Sequence, residues 1–339
     1  MGKKLAVIVV SVIAAVSANL IVSADASPNT AEEPEKAMSA VFEPEIVLPG
    51  RIPAVAGREV NIYFENILND SPSKYQIDVE CGIGSQQNER WTCIPETAGT
   101  YPLTISIYRQ CSFIAEASTE IDVKPEDSCV GTGINCLFIG DSITSGGVYT
   151  KELLRLAKDD SMAIYLIGTR GTAPNCHEGR SGKTADYFFN DTDSPFVFNG
   201  DFDFSQYMKK NRYSGVNYVF INLGINDLIY INDDAAMDEK IRTMLSDYHG
   251  MIDSIRSFNK NIKIGIMLTI PPSGSQDAFG ESYGSSQTQW RYKRNNFIWV
   301  KKLIDEFGSG EGEGIYLVPI NVNLDTEHNM PTETVPVNS

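Results

Sequence analysis

Two hydrophobic patterns divide the chain near residue 125. Between about residues 41 and 124, short β-rich runs, some alternating apolar and polar positions, are separated by turn residues, which is typical of strands in a small antiparallel sandwich. The predicted strands cover 59–64, 75–79, 101–108 and 118–123. The run 98–105 is similar to a late strand of immunoglobulin-like modules, although the Cys-Trp-Cys spacing of true immunoglobulin domains is not evident. We therefore predict a β-sandwich accessory domain over 41–124.

After a polar, Pro-containing segment at 124–128, apolar runs of strand length alternate with segments of helical period. The predicted strands cover 135–139, 163–167, 218–223, 262–270 and 315–320. The predicted helices cover 149–158, 237–258 and 289–307, and Asp234 is the capping candidate of the second helix. This alternation predicts an α/β domain over 129–339, in which helices cover both faces of a parallel sheet.

The beginning of the chain has the pattern of an export signal. Lys3 and Lys4 precede an apolar run at 5–22, and Ala24 and Ala26 form an A-x-A site. We expect a signal peptide over 1–26, a flexible leader over 27–40, and a secreted or extracytoplasmic protein with no membrane contact after cleavage. The alternative is an uncleaved anchor, because the run is nearly long enough to span a bilayer.

Charge and cysteine content narrow the function further. The net charge of −16 argues against nucleic acid as a partner, because phosphates require a basic surface. The six cysteines allow fifteen full disulfide pairings, among which the sequence does not choose. No cysteine pair has the spacing of a zinc site and the three histidines are far apart, so we expect no metal.

A candidate nucleophile stands at the end of the first predicted strand of the α/β domain. Gly140-Asp141-Ser142 follows that strand and leads toward a helix, and reacting groups of α/β enzymes lie at the carboxyl ends of strands. By itself this tripeptide is weak evidence, because turns use the same residue types for backbone reasons.

Three sequence blocks in order make the region from residue 135 to the C-terminus resemble the SGNH hydrolase superfamily, the GDSL esterases and lipases. They are Gly140-Asp141-Ser142, the segment 178–184 around Gly182, and 222–227 around Asn226. The resemblance implies a flavodoxin-like three-layer fold, Ser142 as nucleophile, and an oxyanion hole formed by Ser142, Gly182 and Asn226. It implies no cofactor. Arg180 and Lys183, in the second block, are expected to be solvated rather than catalytic.

A serine nucleophile requires a base, for which the chain offers His177, His249 and His328. His249 is expected on a helix surface, and His177 is a candidate for lining the cleft. Asp325 and His328 have the Asp-x-x-His spacing of the family's last block, in which histidine is the base and aspartate orients it. Because that block is usually followed by a helix, two explanations stay open: a shortened member, or a real Asp/His block beyond Ser339.

These observations predict a secreted serine esterase acting on carboxylic esters. An acetyl ester of a polysaccharide is favoured, because no long apolar lid segment is visible and because an exported enzyme with an accessory β-domain resembles family members that remove acetyl groups from polysaccharides. The alternative is an inert α/β domain in a carbohydrate-binding or adhesion protein, with Trp91, Tyr283 and Trp290 as candidate sugar-stacking residues. The acyl group, the alcohol and the oligomeric state are left open.

Overall fold

The computed structural model describes residues 43–126, 131, 133–283 and 287–330. The predicted signal peptide and leader lie outside these residues, and so does Cys129. Among the residues described, no helix combines the length and the apolar character needed to cross a bilayer. The five described cysteines are free thiols.

The β region, residues 43–126, contains two sheets around one apolar core. One sheet has the order β1-β7-β6-β3 and the other β2-β5-β4. The elements are β1 (Arg51–Val55), β2 (Val60–Tyr63), α1 (Phe64–Ile67), β3 (Gln76–Cys81), β4 (Ser85–Gln86), β5 (Arg90–Cys93), β6 (Gly99–Arg109) and β7 (Ser112–Lys124), with a 3₁₀ turn at Pro72–Lys74.

Each of the four strands predicted in this region has a counterpart, whereas β1, β4 and β5 were not predicted. The expectation of a purely antiparallel sandwich is wrong, because β1 pairs parallel with β7. Trp91 is wholly buried in the core between the sheets, so it is not available to stack on a sugar. The immunoglobulin-like relationship stays a prediction.

The α/β region, residues 133–330, alternates strands and helices as predicted. Its strands are β8 (Gly133–Gly140), β9 (Ala163–Ile167), β10 (Arg170–Thr172), β11 (Asn175–Gly179), β12 (Val197–Phe198), β13 (Asp201–Phe202), β14 (Tyr218–Asn222), β15 (Lys263–Met267) and β16 (Ile315–Val318). Its helices are α2 (Ser142–Ser145), α3 (Val148–Asp159), α4 (Ala185–Asn190), α5 (Phe204–Lys210), α6 (Ile225–Leu228), α7 (Asp234–Phe258), α8 (Gln276–Tyr283) and α9 (Gln289–Phe307).

The five main strands are parallel and lie in the order β9-β8-β14-β15-β16, which is the flavodoxin-like order 2-1-3-4-5. Alternate side chains of β8 enter different cores: Leu137 and Ile139 pack with α7 and α9 on one face, while Cys136 and Phe138 pack with α3 on the other. The predicted parallel sheet with helices on both faces is therefore confirmed.

The N-cap of α7 lies one residue before the predicted one, and the helix begins at Asp234 rather than at residue 237. Asp233, and not Asp234, is the N-cap: its backbone is extended and its carboxylate accepts a hydrogen bond from Ala236 N at 2.8 Å. Asp234 instead forms ion pairs with Arg291 and Arg294 of α9. The sequence pattern could not distinguish two adjacent aspartates, because both are good capping residues.

The two regions are joined by charged contacts as well as by the chain. Arg51 of β1 forms an ion pair with Glu311 at 2.9 Å, and Lys293 of α9 pairs with Glu65 of α1. Arg58 pairs with Asp160, at the end of α3. The β region is therefore attached to the α/β region at several points.

Candidate active site

Ser142 lies where β8 turns into α2. The turn requires a glycine at position 140, because an added Cβ would lie 2.0 Å from Thr144 Oγ1 and 3.0 Å from the Asn222 carbonyl oxygen. Asp141 caps α2 by accepting a hydrogen bond from Ile143 N at 3.0 Å. Ser142 begins the helix and is half-buried. The backbone N–H of Ser142 therefore lies in the first turn of α2, and N–H groups in the first turn of a helix have no hydrogen-bond acceptor within that helix.

The loop that carries Gly182 begins beside Ser142. β11 pairs with the last two residues of β8, and Arg180 N donates to Gly140 O at 2.9 Å. Gly182 has φ +73°, is exposed, and has no atom within 4 Å of the position that a Cβ would occupy. The loop thus presents open backbone next to the serine, as a donor to a substrate oxygen requires.

Asn226 lies on α6, directly after β14, and its side chain is bonded to this loop. The carboxamide donates from Nδ2 to Lys183 O at 3.1 Å, and the neighbouring Asp227 accepts from Ala185 N at 3.1 Å. A carboxamide has two N–H groups, so one bond to Lys183 leaves a second donor. The blocks that carry Ser142, Gly182 and Asn226 are thereby hydrogen-bonded together at the carboxyl ends of adjacent strands.

Two buried carboxyl groups, those of Asp141 and Asp227, belong to direct sequence neighbours of Ser142 and Asn226. Burial raises the pKa of Asp141 to about 7, and the nearby charge of Asp227 adds to the shift. Burial likewise raises the pKa of Asp227 to about 6. One oxygen of each, Asp141 Oδ2 and Asp227 Oδ1, has no hydrogen-bond partner among the described residues. These acids therefore destabilise the fold when they are charged.

Asp325 and His328 form a pair in a turn after β16. Asp325 Oδ1 accepts from Glu327 N at 3.0 Å and from His328 N at 2.9 Å, and His328 Nδ1 lies 3.1 Å from Asp325 Oδ2. The imidazole is 65% exposed. Within the described part of the chain, its hydrogen bonds go to Asp325, and none joins it to the Ser142 hydroxyl. The structure thus forms the Asp/His pair and leaves the Ser/His pair unformed.

The other two histidines lie elsewhere. His249 is exposed on α7 and bonds to Glu306 of α9 at 2.7 Å, as expected of a helix-surface residue. His177 is buried in β11, where its Nδ1 accepts from Gly179 N at 3.1 Å, so the expectation that it lines the cleft is wrong. Burial lowers the pKa of His177, which favours its neutral form.

The expectation that Arg180 is solvated is also wrong. Arg180 forms an ion pair with the fully buried Glu178 at 2.9 Å, and Glu178 also accepts from Tyr207 OH at 2.8 Å. Glu178 therefore anchors the loop that carries Gly182, a role that sequence reasoning missed because Tyr207 is 29 residues away. Lys183 is half-buried, with its ammonium group 4.1 Å from the centre of the Tyr187 ring.

A polar groove of about 600 Å³ separates the β region from the Asp325–His328 turn. Its acidic and amide lining comes from both regions: Glu65, Gln86, Gln87, Asn88, Glu89, Asp325 and Glu327. At one end, ligand atoms of Glu89, Glu327 and His328 lie within 4.8 Å of one another. The groove therefore adjoins the candidate base and carries several carboxylates.

One family model matches the chain: a GDSL-like lipase/acylhydrolase domain over residues 137–328, which is more than half of the chain. The match includes Ser142, Gly182 and Asn226 and ends at His328. No curated protein matches the sequence.

Solved structures show similarity at low identity. A GDSL-like lipase from Bacteroides thetaiotaomicron is 16% identical over 54% of this chain and 67% of its own, with a TM-score of 0.32. A possible lipase from Chitinophaga pinensis is 15% identical over 56% of this chain and 68% of its own, with a TM-score of 0.34. An acetyl esterase mutant with acetate ion is 16% identical over 54% of this chain and 78% of its own, with a TM-score of 0.32. Such similarity is too low to transfer a substrate.

Proposed function

The chain belongs to the GDSL-like lipase/acylhydrolase family and is an ester-hydrolysing serine hydrolase, and from this premise we propose that Ser142 is its nucleophile and His328 its base. The observation that supports the proposal is the hydrogen-bonded convergence of the three blocks: Gly140 O with Arg180 N, and Lys183 O with the Asn226 carboxamide. If Gly140-Asp141-Ser142 were only a backbone turn, there would be no reason for the three blocks to be hydrogen-bonded together.

The reaction proceeds in two steps. The Ser142 hydroxyl attacks the ester carbonyl while His328 removes its proton, and the same imidazole then donates that proton to the departing alcohol. Water, activated by His328, next cleaves the acyl-serine and releases the acid. Asp325 lies 3.1 Å from Nδ1, which leaves Nε2 as the nitrogen for proton transfer in this mechanism.

The negative charge that develops on the carbonyl oxygen requires fixed donors. The proposed oxyanion hole consists of Ser142 N at the start of α2, the backbone N–H of the exposed Gly182, and the second N–H of the Asn226 carboxamide. Each of these groups is held by backbone or by a bonded loop, so the donors need little rearrangement when charge forms.

The mechanism requires His328 to come within hydrogen-bond distance of Ser142 when the ester is bound. Catalytic hydrogen bonds are often long or absent in enzymes without substrate and form in the complex. The 65% exposure of the imidazole leaves space for that movement.

For the substrate we propose an acylated carbohydrate, with acetate as the acyl group, met outside the cytoplasm. Because His328 must donate a proton to the leaving alcohol, the alcohol part of the ester lies beside that residue. The adjoining groove is lined with amides and carboxylates, which suits hydroxyl groups better than an acyl chain. The carboxylates of Glu89 and Glu327 disfavour anionic alcohols.

One observation favours a second function, that of a non-catalytic carbohydrate-binding protein. The His328 ring bonds to Asp325 and not to Ser142, so the complete set of catalytic contacts is not formed. In that case the polar groove would bind sugar without hydrolysis.

Acetate release by the purified protein separates the two functions. The substrates are an aryl acetate and acetylated xylan, and the variants are Ser142→Ala and His328→Ala, with His249→Ala as the matched histidine control. The proposal expects loss of at least about a hundredfold in the first two variants and parent activity in the third. No acetate release by the parent would favour the binding protein, and full activity in His328→Ala would exclude that residue as base.

A further inference from the structure

The segment between β16 and the Asp325–His328 turn is held by the β region. After Val318 the chain leaves the sheet, and the side chain of Val322 is wholly buried in the β-region core. Tyr63 N, at the end of β2, donates to Val322 O at 2.9 Å. A residue of the α/β region thus completes the hydrophobic core of the other region.

The side-chain amide of one β-region residue donates hydrogen bonds to this segment at two positions. Asn66, on α1, donates from Nδ2 to Asn321 O at 2.8 Å and to Leu324 O at 2.6 Å. Leu324 immediately precedes Asp325. Both donors of the carboxamide are therefore used to fix the backbone that enters the Asp/His turn.

A second contact to the β region uses a side chain of the segment as the acceptor. The buried Asn323 accepts from Asn61 N, in β2, at 2.8 Å. On the far side of the segment, Gly274 N of the α/β region donates to Thr326 O at 2.9 Å. The backbone on either side of Asp325 is therefore hydrogen-bonded to a different region: to the β region before it and to the α/β region after it.

We propose that the β region helps to form the active site. Asn66 and Asn323 are positioning residues, which determine the location of Asp325 and His328 relative to Ser142. This inference rests on the proposed function, in which His328 is the base. It assigns to the β region a task other than substrate binding. The burial of Val322 attaches the segment to the β-region core, and the hydrogen bonds of the two asparagines fix the position and direction of its backbone.

The physical reason is the sensitivity of proton transfer to distance. A shift of about 1 Å in a catalytic group, caused by a change away from the chemistry, can reduce the rate by about a hundredfold. Neither Asn66 nor Asn323 touches the ester in the proposed mechanism. Their loss should therefore lower kcat and leave KM nearly unchanged.

The test compares isosteric and conservative variants of Asn66 in the full chain. Asn66→Asp places an acceptor against two carbonyl oxygens, whereas Asn66→Gln keeps the amide on a longer side chain. With an aryl acetate we expect kcat to fall by about tenfold or more in Asn66→Asp, with KM within about twofold of the parent and partial rescue in Asn66→Gln.

The matched control is Asn69→Ala. Asn69 lies three residues further on, donates to Glu43 O and accepts from Glu45 N, so the side-chain hydrogen bonds found among the described residues stay within the β region. It should lower thermal stability and leave kcat unchanged. If Asn66→Asp does not fold, Asn323→Ala removes the second contact, with Asn61 N, and is measured in the same way, with the same expectation.

Two results separate failure of this inference from failure of the proposed function. Parent kcat in folded Asn66→Asp, together with an inactive His328→Ala, would overturn the positioning role and keep His328 as base. Parent kcat in both would overturn the base assignment and, with it, this inference. An equal fall of kcat in Asn69→Ala would also overturn it, because the effect would then be general destabilisation.

Discussion

At the scale of single residues, the most unusual feature is the buried acid Asp141, which directly precedes the proposed nucleophile Ser142 and has one carboxylate oxygen without a hydrogen-bond partner among the described residues. Asp141 has a pKa raised to about 7 by burial and by Asp227, whereas its ordinary value is 3.8. When the folded-state pKa of an acid exceeds its unfolded value, the folded form binds the proton more tightly. Stability from this group is therefore fully present below about pH 4 and is lost as pH rises toward 7.

We expect Asp141→Asn to remove this pH dependence. Asparagine also caps helices, so the bond from Ile143 N is kept. The free energy of unfolding should rise relative to the parent by on the order of 2–4 kcal/mol at pH 8 and should change little at pH 4. Urea unfolding at the two pH values measures this. Asp253→Asn, at an exposed position of α7, is the control, and equal gains at both pH values would contradict the account.

At the scale of elements, the loops after β8, β11 and β14 determine the site. In the turn between β14 and α6, Gly224 has φ +130°, and an added Cβ would lie 2.4 Å from Trp299 Nε1. Trp299 is fully buried and packs on Tyr248 with ring centres 5.6 Å apart. This packing fixes where α6, and therefore Asn226, begins.

Gly224→Ala should therefore affect both stability and rate. The clash with a buried indole and the strained backbone should cost about 2–4 kcal/mol of unfolding free energy. Displacement of Asn226 should also lower kcat for an aryl acetate by about tenfold or more. Thermal unfolding and initial rates measure the two effects. Gly215→Ala, which meets no atom within 4 Å, should match the parent in both, and a stable, fully active Gly224→Ala would refute this role.

Elements with a local signal could be predicted from the sequence. The helix at 289–307 and the strand at 163–167 were predicted with their observed bounds, because their hydrophobic periods are complete within each segment. The parallel pairing of β1 with β7 could not be predicted, because it joins residues about 70 positions apart. For the same reason the sequence could not show that Val322 enters the β-region core.

The candidate site follows the same rule. The three blocks around Ser142, Gly182 and Asn226 were recognisable because each is a short motif at a strand end. The loop anchor Glu178 and the positioning residue Asn66 were missed, because their partners Tyr207 and Leu324 are distant in sequence. Trp91 was considered as a sugar-stacking residue, although its position in β5 places it inside the core.

At the scale of the whole molecule, the β region and the α/β region form one functional unit. They share a groove beside His328, and carboxylates from both regions line it. The chain as a whole is acidic, with a net charge of −16. Together these features favour a neutral polymer over an anionic one as the alcohol part of the ester.

This charge distribution predicts that esters of a neutral polymer are hydrolysed faster than those of an anionic polymer, and that added salt reduces the difference. Acetate release from neutral acetylated xylan should exceed that from acetylated polygalacturonate at low ionic strength, and the ratio should decrease at about 0.5 M salt because exposed charges are screened. Glu89→Gln should decrease the ratio as well, whereas Glu96→Gln, exposed on the β region outside the groove, should not. A ratio that is independent of salt and of Glu89 would exclude the groove as a determinant of specificity.

The central claim, that Ser142 is a nucleophile activated by His328, is tested most directly by covalent capture. The purified chain is treated with a fluorophosphonate, and the modified residue is identified by mass spectrometry of its peptides. The account predicts one phosphonylated residue, Ser142, with no labelling in Ser142→Ala and labelling slowed by about a hundredfold or more in His328→Ala. Labelling of a different serine, or none in the parent protein, would contradict it.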